Sequence, residues 1–376
     1  MRFPEFSGEW TKIKLGDLGS FFSGGTPSSS RKDYYGGEIP FIRSGELHSD
    51  STALSITKEA YDSCSAKMVN KGDLLLALYG ATSGDISISR ICGAINQAIL
   101  CIRPQYMDAY FIKSLWEKHK KHILETYLQG GQGNLSSEII KNISFFFPNS
   151  DEQVKISRLI HIIDDRIETQ SKIIEELTAL RSALLEKVFQ VSNSTIEVGA
   201  IAHQTSERNK LCRYSNVLSV SNRFGFINQS EQFEDRNVAS DDVRNYKVVH
   251  RGDFAYNPAR INVGSIAMLK SFESGIVSPM YICFQVDDTI VDPSFFELFL
   301  ETKAFKDEME IRLEGSVRRC LSFEALCEIH LPRPSLLVQR SISDKIGNIS
   351  SKIKLENRIL RAYIRQKEWL LKHMFI

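Results

Sequence analysis

The sequence predicts an α+β chain. Two similar globular domains are separated by a pair of long antiparallel helices, an intramolecular coiled coil with pseudo-two-fold symmetry. Three observations predict it. Residues 153–189 and 339–375 each open on Gln, close on Phe and carry apolar residues at steps of three and four. The stretch ahead of each copy repeats one series of turn and strand signals. The two helical copies also differ in charge, with 6 Lys+Arg against 8 Asp+Glu in 151–192 and 9 against 3 in 336–376. That difference favours pairing the helices with each other.

The expected boundaries are 1–150 for the first domain, 151–190 for its helix, 191–337 for the second domain and 338–376 for the second helix. In the first domain an opening strand and turn are expected over 10–18, then a polar loop at 23–28 and a strand at 39–43. The Lys71-Gly72-Asp73 turn precedes a buried strand at 74–78. An open loop follows at 79–84, then strands at 86–88 and 98–102. A helix at 108–128 turns Phe111, Leu115, Trp116, Ile123 and Tyr127 inward. A glycine-rich loop covers 129–134, and Pro148 to Asp151 caps the first long helix. Its seam is Ile156, Ile160, Ile163, Ile167, Ile174, Leu177 and Leu184.

The second domain repeats the plan. Arg251-Gly252-Asp253 answers Lys71-Gly72-Asp73, Gly264 answers Gly84, Gly275 answers Gly93, and Asp292 answers Asp108 as a helix start. Adding 186 to the first seam gives Ile342, Ile346, Ile349, Ile353, Leu360, Tyr363 and Leu370, and the breaks at Gln170 and Arg181 recur as Glu356 and Lys367. Leu159, Ile162, Ile173 and Leu185 lie outside the seam and suggest a face for partners, or for some of them a wider core within the hairpin itself.

A 37-residue helix spans roughly 55 Å at about 1.5 Å per residue. B-DNA rises about 3.4 Å per base pair, so that length is about one and a half turns. Two similar heads so spaced suit two half-sites with an unread spacer. Composition adds bounds: 42% hydrophobic, 25% charged and net +1 describe a soluble protein without a blanket basic surface. No apolar run approaches the roughly 20 residues of a bilayer span. The first residues lack a signal-peptide core, so a cytoplasmic location is expected. Seven scattered cysteines have no zinc-site spacing and read as reduced thiols, so no metal is expected.

The chain resembles the specificity (S) subunits of type I restriction–modification systems along its whole length. The residues that carry the resemblance are Trp10-Thr11-Lys12-Ile13-Lys14-Leu15-Gly16-Asp17 and Gly24-Gly25-Thr26-Pro27, then Gly72-Asp73-Leu74-Leu75 with Gly80-Ala81-Thr82-Ser83-Gly84. Asn96-Gln97-Ala98 follows, and Pro148 to Gln153 runs into a long helix containing Leu180-Arg181-Ser182-Ala183-Leu184-Leu185. The second half lacks the Gly-Gly-Thr-Pro loop, and residues 314–319 replace the glycine loop. The resemblance implies a non-catalytic, DNA-binding subunit whose two target-recognition domains each read half of an asymmetric bipartite site. Implied partners are double-stranded DNA, two methylase (M) subunits and restriction (R) subunits, with no membrane. The chain itself would hold no cofactor; S-adenosylmethionine, ATP and magnesium would belong to the partners.

Base edges and phosphates are contacted chiefly by Arg, Lys, Asn, Gln, Ser and Thr. Candidates in the first domain are Thr26, Ser28, Arg31, Lys32, Arg43, Ser44, Tyr79, Thr82, Gln132 and Asn134. In the second domain residues 208–260 hold nine basic and six acidic residues, whereas 287–328 hold 5 and 11. The basic end is expected to face DNA, through Arg208, Lys210, Arg213, Arg223, Arg244, Asn257, Arg260 and Asn262, joined by Arg318 and Arg319. Asn257-Pro258-Ala259-Arg260 is only a faint likeness of an amino-methyltransferase pocket, without its second proline. The alternatives are a helical scaffold that reads no bases and a specificity subunit of a system that only modifies DNA.

Overall fold

Short apolar runs closed off by Gly-Asp turns become strands in the computed structural model, which describes residues 1–127, 134–190, 194–229, 242–315 and 319–375. The chain forms two compact units, residues 1–172 with 358–376 and residues 173–357. The division cuts each long helix in mid-length, so each unit owns a globular head and a segment of both helices.

The first unit contains β1 (Thr11–Lys14), β2 (Gly19–Ser23), β3 (Tyr35–Ile42), β4 (Ser55–Ile56), α1 (Lys58–Asp62), β5 (Lys67–Val69), β6 (Leu74–Ala77), β7 (Ile86–Ile88), β8 (Gly93–Ile95), β9 (Ile99–Pro104), α2 (Ala109–Tyr127), α3 (Ser137–Asn142), β10 (Ser144–Phe147) and the start of α4 (Ser150–Gln190). Its main sheet has the order β2-β9-β6-β7, all antiparallel. The second unit contains β11 (Thr195–Glu197), β12 (Ala202–Thr205), β13 (Leu218–Ser221), β14 (Gly225–Asn228), β15 (Lys247–His250), β16 (Phe254–Tyr256), β17 (Ile266–Met268), β18 (Ser274–Val277), β19 (Ile282–Val286), α5 (Pro293–Glu301), α6 (Lys303–Arg312), α7 (Phe323–Cys327), β20 (His330–Pro332) and the start of α8 (Leu336–Met374). Its main sheet has the order β12-β19-β16-β17, the same topology strand for strand. The duplication expected from scattered motifs is therefore a duplication of the fold.

Local chemistry repeats with it. Gly72 and Gly252 turn the chain at φ 98° and 94°, where a side chain would be strained. The next residue clamps each turn: Asp73 accepts the Asn70 N–H and Asp253 the His250 N–H, both at 2.8 Å. At the start of each long helix a glutamine makes the same two bonds. Gln153 donates to the Pro148 carbonyl (2.9 Å) and accepts the Asp108 N–H (3.3 Å). Gln339 donates to Pro334 (2.8 Å) and accepts the Asp292 N–H (2.9 Å). Asp108 and Asp292 cap α2 and α5, each taking a further bond from Ser157 or Ser343 one turn along the long helix.

The seam residues are all buried or half-buried. In the first unit Ile156, Ile160 and Ile163 join Leu370 and Phe375 in the core around Phe111 and Trp116. There α4 and α8 run antiparallel, since Asp164 pairs with Lys367 and Arg166, further along, lies over Tyr363. In the second unit Leu185, Phe189 and Ile346 join the core of Phe254, Phe284, Phe295 and Phe299. Leu185 is thus corrected from a partner-facing position to a core one, and Leu159 is half-buried against the first core. The 3.6-residue period carried both into the head. Ile162 and Ile173 remain exposed.

Candidate nucleic-acid interface

Antiparallel order places four strand ends of the first sheet together: the exit of β2, the exit of β6, and the starts of β7 and β9. They flank the segments at Gly24–Pro27, Tyr79–Gly84 and Asn96–Ala98 that carried the resemblance. Their packing explains the glycines. A Cβ on Gly24 would lie 1.7 Å from the Ile95 carbonyl oxygen, and one on Gly25 would lie 2.2 Å from Ser65 Oγ. The loop therefore sits flat on the neighbouring strand, and Thr26 donates a hydrogen bond to Gln97 Oε1. Tyr79 is half-buried at the start of the next loop, and burial pushes its phenol above the ordinary value. Asn134 borders the same end, because the next residue, Leu135, donates its N–H to the Leu78 carbonyl (2.8 Å). Arg43 and Ser44 follow β3 beside it, where the Asn96 N–H meets the Ile42 carbonyl.

Gly24→Ala is expected to lift this loop and cost about 1–3 kcal/mol, as overpacking does. Denaturant unfolding checks it, and a midpoint within error of the parent chain would contradict the close approach.

The corresponding end of the second sheet carries different chemistry. The Leu321 N–H meets the Pro258 carbonyl (3.2 Å), repeating the Leu135 bond. Asn257 and Arg260 lie on the loop after β16 and line a recess with Ser278, Met280 and Tyr281. Arg208, Lys210 and Arg213 share a loop anchored beside β15, where the Asn209 N–H meets the Tyr246 carbonyl (3.0 Å) and Arg208 donates to the Asn245 carbonyl (3.1 Å). Arg223 sits at the β13–β14 turn over Phe224. Asn262 is exposed in the loop before β17. Of the second-domain candidates, Asn257 and Arg260 line this one recess.

Charge pairing sorts them further. Arg31 is held by Asp33 and lies 4.3 Å over Tyr34, and Arg43 is bonded at two nitrogens to Glu46. Arg244 pairs likewise with Asp242, and Arg319 with Glu310. Their guanidiniums are neutralised in the free chain. Lys32, Arg208, Lys210, Arg213, Arg223 and Arg260 have no carboxylate partner among the described residues. Ser28 bonds Ser30 and remains exposed, while Thr82 is half-buried in its turn. Gln132 and Arg318 lie outside the described residues. Gln97, Gln229, Met280 and Tyr281 were not among the candidates. Only Gln97 had a signal, the Asn96-Gln97-Ala98 motif.

Residues 7–179 match the family described as Type I restriction modification DNA specificity domain. This stretch, a little under half of the chain, carries the domain of the type I restriction–modification specificity family. The chain is similar to the MjaVIII specificity subunit of Methanocaldococcus jannaschii, 23% identical over 95% of this chain and 89% of that one. The MjaIX specificity subunit of the same organism is 28% identical over 48% of this chain, which spans only 44% of that relative's length. The fold is that of a crystallised S subunit from M. genitalium, at TM-score 0.65 and 16% identity over 100% and 99% of the two chains. A type I restriction–modification chain from a study of complex assembly gives 0.54 and 13% over 98% of each. Among the described residues no acidic, His or Cys cluster could hold a metal, and no helix is long and apolar enough to cross a membrane.

Proposed function

We propose that this chain is the DNA-reading subunit of a type I restriction–modification complex. Each head reads one half of an asymmetric bipartite site, and the long helices count the unread base pairs between. The observation that supports this best is one sheet end built twice with different side chains: Thr26 bonded to Gln97 in one head, and in the other Asn257 with Arg260, which has no carboxylate partner among the described residues. Equal scaffolding with unequal reading chemistry is what two different half-sites require. Two methylase subunits and the restriction subunits would dock on the chain. S-adenosylmethionine, ATP and magnesium would be theirs, and catalysis with them.

The test is to co-express the chain with its neighbouring methylase gene and map methylated adenines across a genome. A split motif with a fixed spacer is expected, and the absence of any motif would refute the proposal. Inserting about one helical turn after Lys172 and after Asn357, at the division between units, should change the spacer and leave both half-sites unaltered.

A further inference from the structure

In the second unit the loop after β16 and the β13–β14 hairpin enclose a recess of about 300 Å³. Its floor is buried Tyr281, whose hydroxyl lies 3.3 Å from both the Val220 N–H and Ser219 Oγ. Val220, Val263 and Met280 supply apolar walls. Two amides line it with capacity to spare. Asn257 uses Oδ1 on the Ala259 N–H, and its Nδ2 meets only the Met280 sulfur at 3.7 Å. Gln229 Oε1 is buried and has no hydrogen-bond partner among the described residues. Arg260 lies exposed among the lining residues, without a carboxylate partner among the described residues.

A stacked base is read by a convex element entering the groove. A concave recess cannot reach a base edge that stays in the stack. Apolar walls with one open N–H donor and one open carbonyl acceptor complement a flat heterocycle inserted edge-on, and a base turned out of the duplex is such a group. We infer that this recess receives one nucleobase of the bound duplex, turned out of the stack, with Asn257 and Gln229 on its edge and Arg260 on the adjoining phosphate. The inference rests on the DNA-reading function proposed above. It applies to the second head alone, because at the matching end of the first head Thr26 already occupies the Gln97 carbonyl.

The test places 2-aminopurine at each position of the mapped site and measures fluorescence when the full chain, complexed with its co-expressed methylase, binds. One position in the second head's half-site, distinct from the methylated adenine, should brighten severalfold. Met280→Trp, which plugs the recess from an exposed position, should abolish that signal. The surface truncation Asn257→Ala should weaken binding about tenfold and relax the preference at that position. Sequence-specific binding without such a signal, or a signal that survives the plug, overturns the inference while the DNA-reading proposal stands. A complex that binds no sequence preferentially removes that proposal and this one together.

Discussion

Phe375→Ala and Phe189→Ala are each expected to lower stability by about 3–5 kcal/mol, the cost of emptying a large aromatic site in a core. The two residues close the two helical repeats and do the same job. Phe375 is 4% exposed, with its ring 5.1 Å from Phe111 and 6.5 Å from Trp10. Phe189 is 6% exposed, with its ring 4.7 Å from Phe295 and 5.7 Å from Phe299. Phe111 and Phe295 lie on α2 and α5, directly after the capping aspartates that Gln153 and Gln339 grip. Each head is therefore fastened to one long helix at its start, by the glutamine, and to the other at its end, by the phenylalanine. Denaturant titration of the single variants checks this. A loss under about 1 kcal/mol for either would mean that the helix end is merely laid against the head.

The matching ends of the two repeats were visible in the sequence as letters, but their purpose was not. Periodicity identified the seam because burial on a helix recurs every 3.6 residues, and every seam position is buried or half-buried. The same argument failed for Leu185, since a stripe facing a partner helix and a stripe facing a globular head have the same period. Turn chemistry placed the Gly72 and Gly252 corners within a residue, because only the left-handed φ there demands glycine. The grouping of site residues was less legible. Thr26, Tyr79 and Gln97 come together through sheet order, a long-range property that no local spacing encodes. Whether an arginine is spent on a neighbouring carboxylate could be guessed for Arg31-Lys32-Asp33, but not for Arg319 and Glu310, nine residues apart.

The breaks in the seam lead to the second large effect. Lys367 interrupts the apolar stripe because it belongs to a half-buried square of charge. Its Nζ lies 2.7 Å from Asp164 and 2.7 Å from Glu117, and Lys113 bridges the same two carboxylates at 2.8 and 2.9 Å. Burial alone would raise the Asp164 carboxyl, but Lys113 and Lys367 outweigh it and hold it below the ordinary value. Burial would likewise lower Lys367, and Glu117 and Asp164 reverse that. Lys367→Met should therefore cost about 3 kcal/mol near neutral pH, by leaving two carboxylates to share one ammonium. The sign with pH follows from the shifts. A depressed carboxyl contributes stability above its unfolded value of about 3.9, which is lost as pH falls through the lower folded value. A raised lysine contributes below about 10.4, and that stability is lost as pH rises through its higher folded value. The difference between parent and variant should be largest between about pH 4 and 10 and should shrink on either side.

Arg181 occupies the equivalent break in the other repeat and bonds Glu301 at 2.8 and 3.0 Å and Ser350 at 2.7 Å. Glu301 is 45% exposed there, against 20% for Asp164 and 22% for Glu117, so solvent screens the pair. Arg181→Met should cost only about 1 kcal/mol. Equal losses for the two variants, or a Lys367→Met loss indifferent to pH, would show that these cations act through the packing of their stems and not through charge.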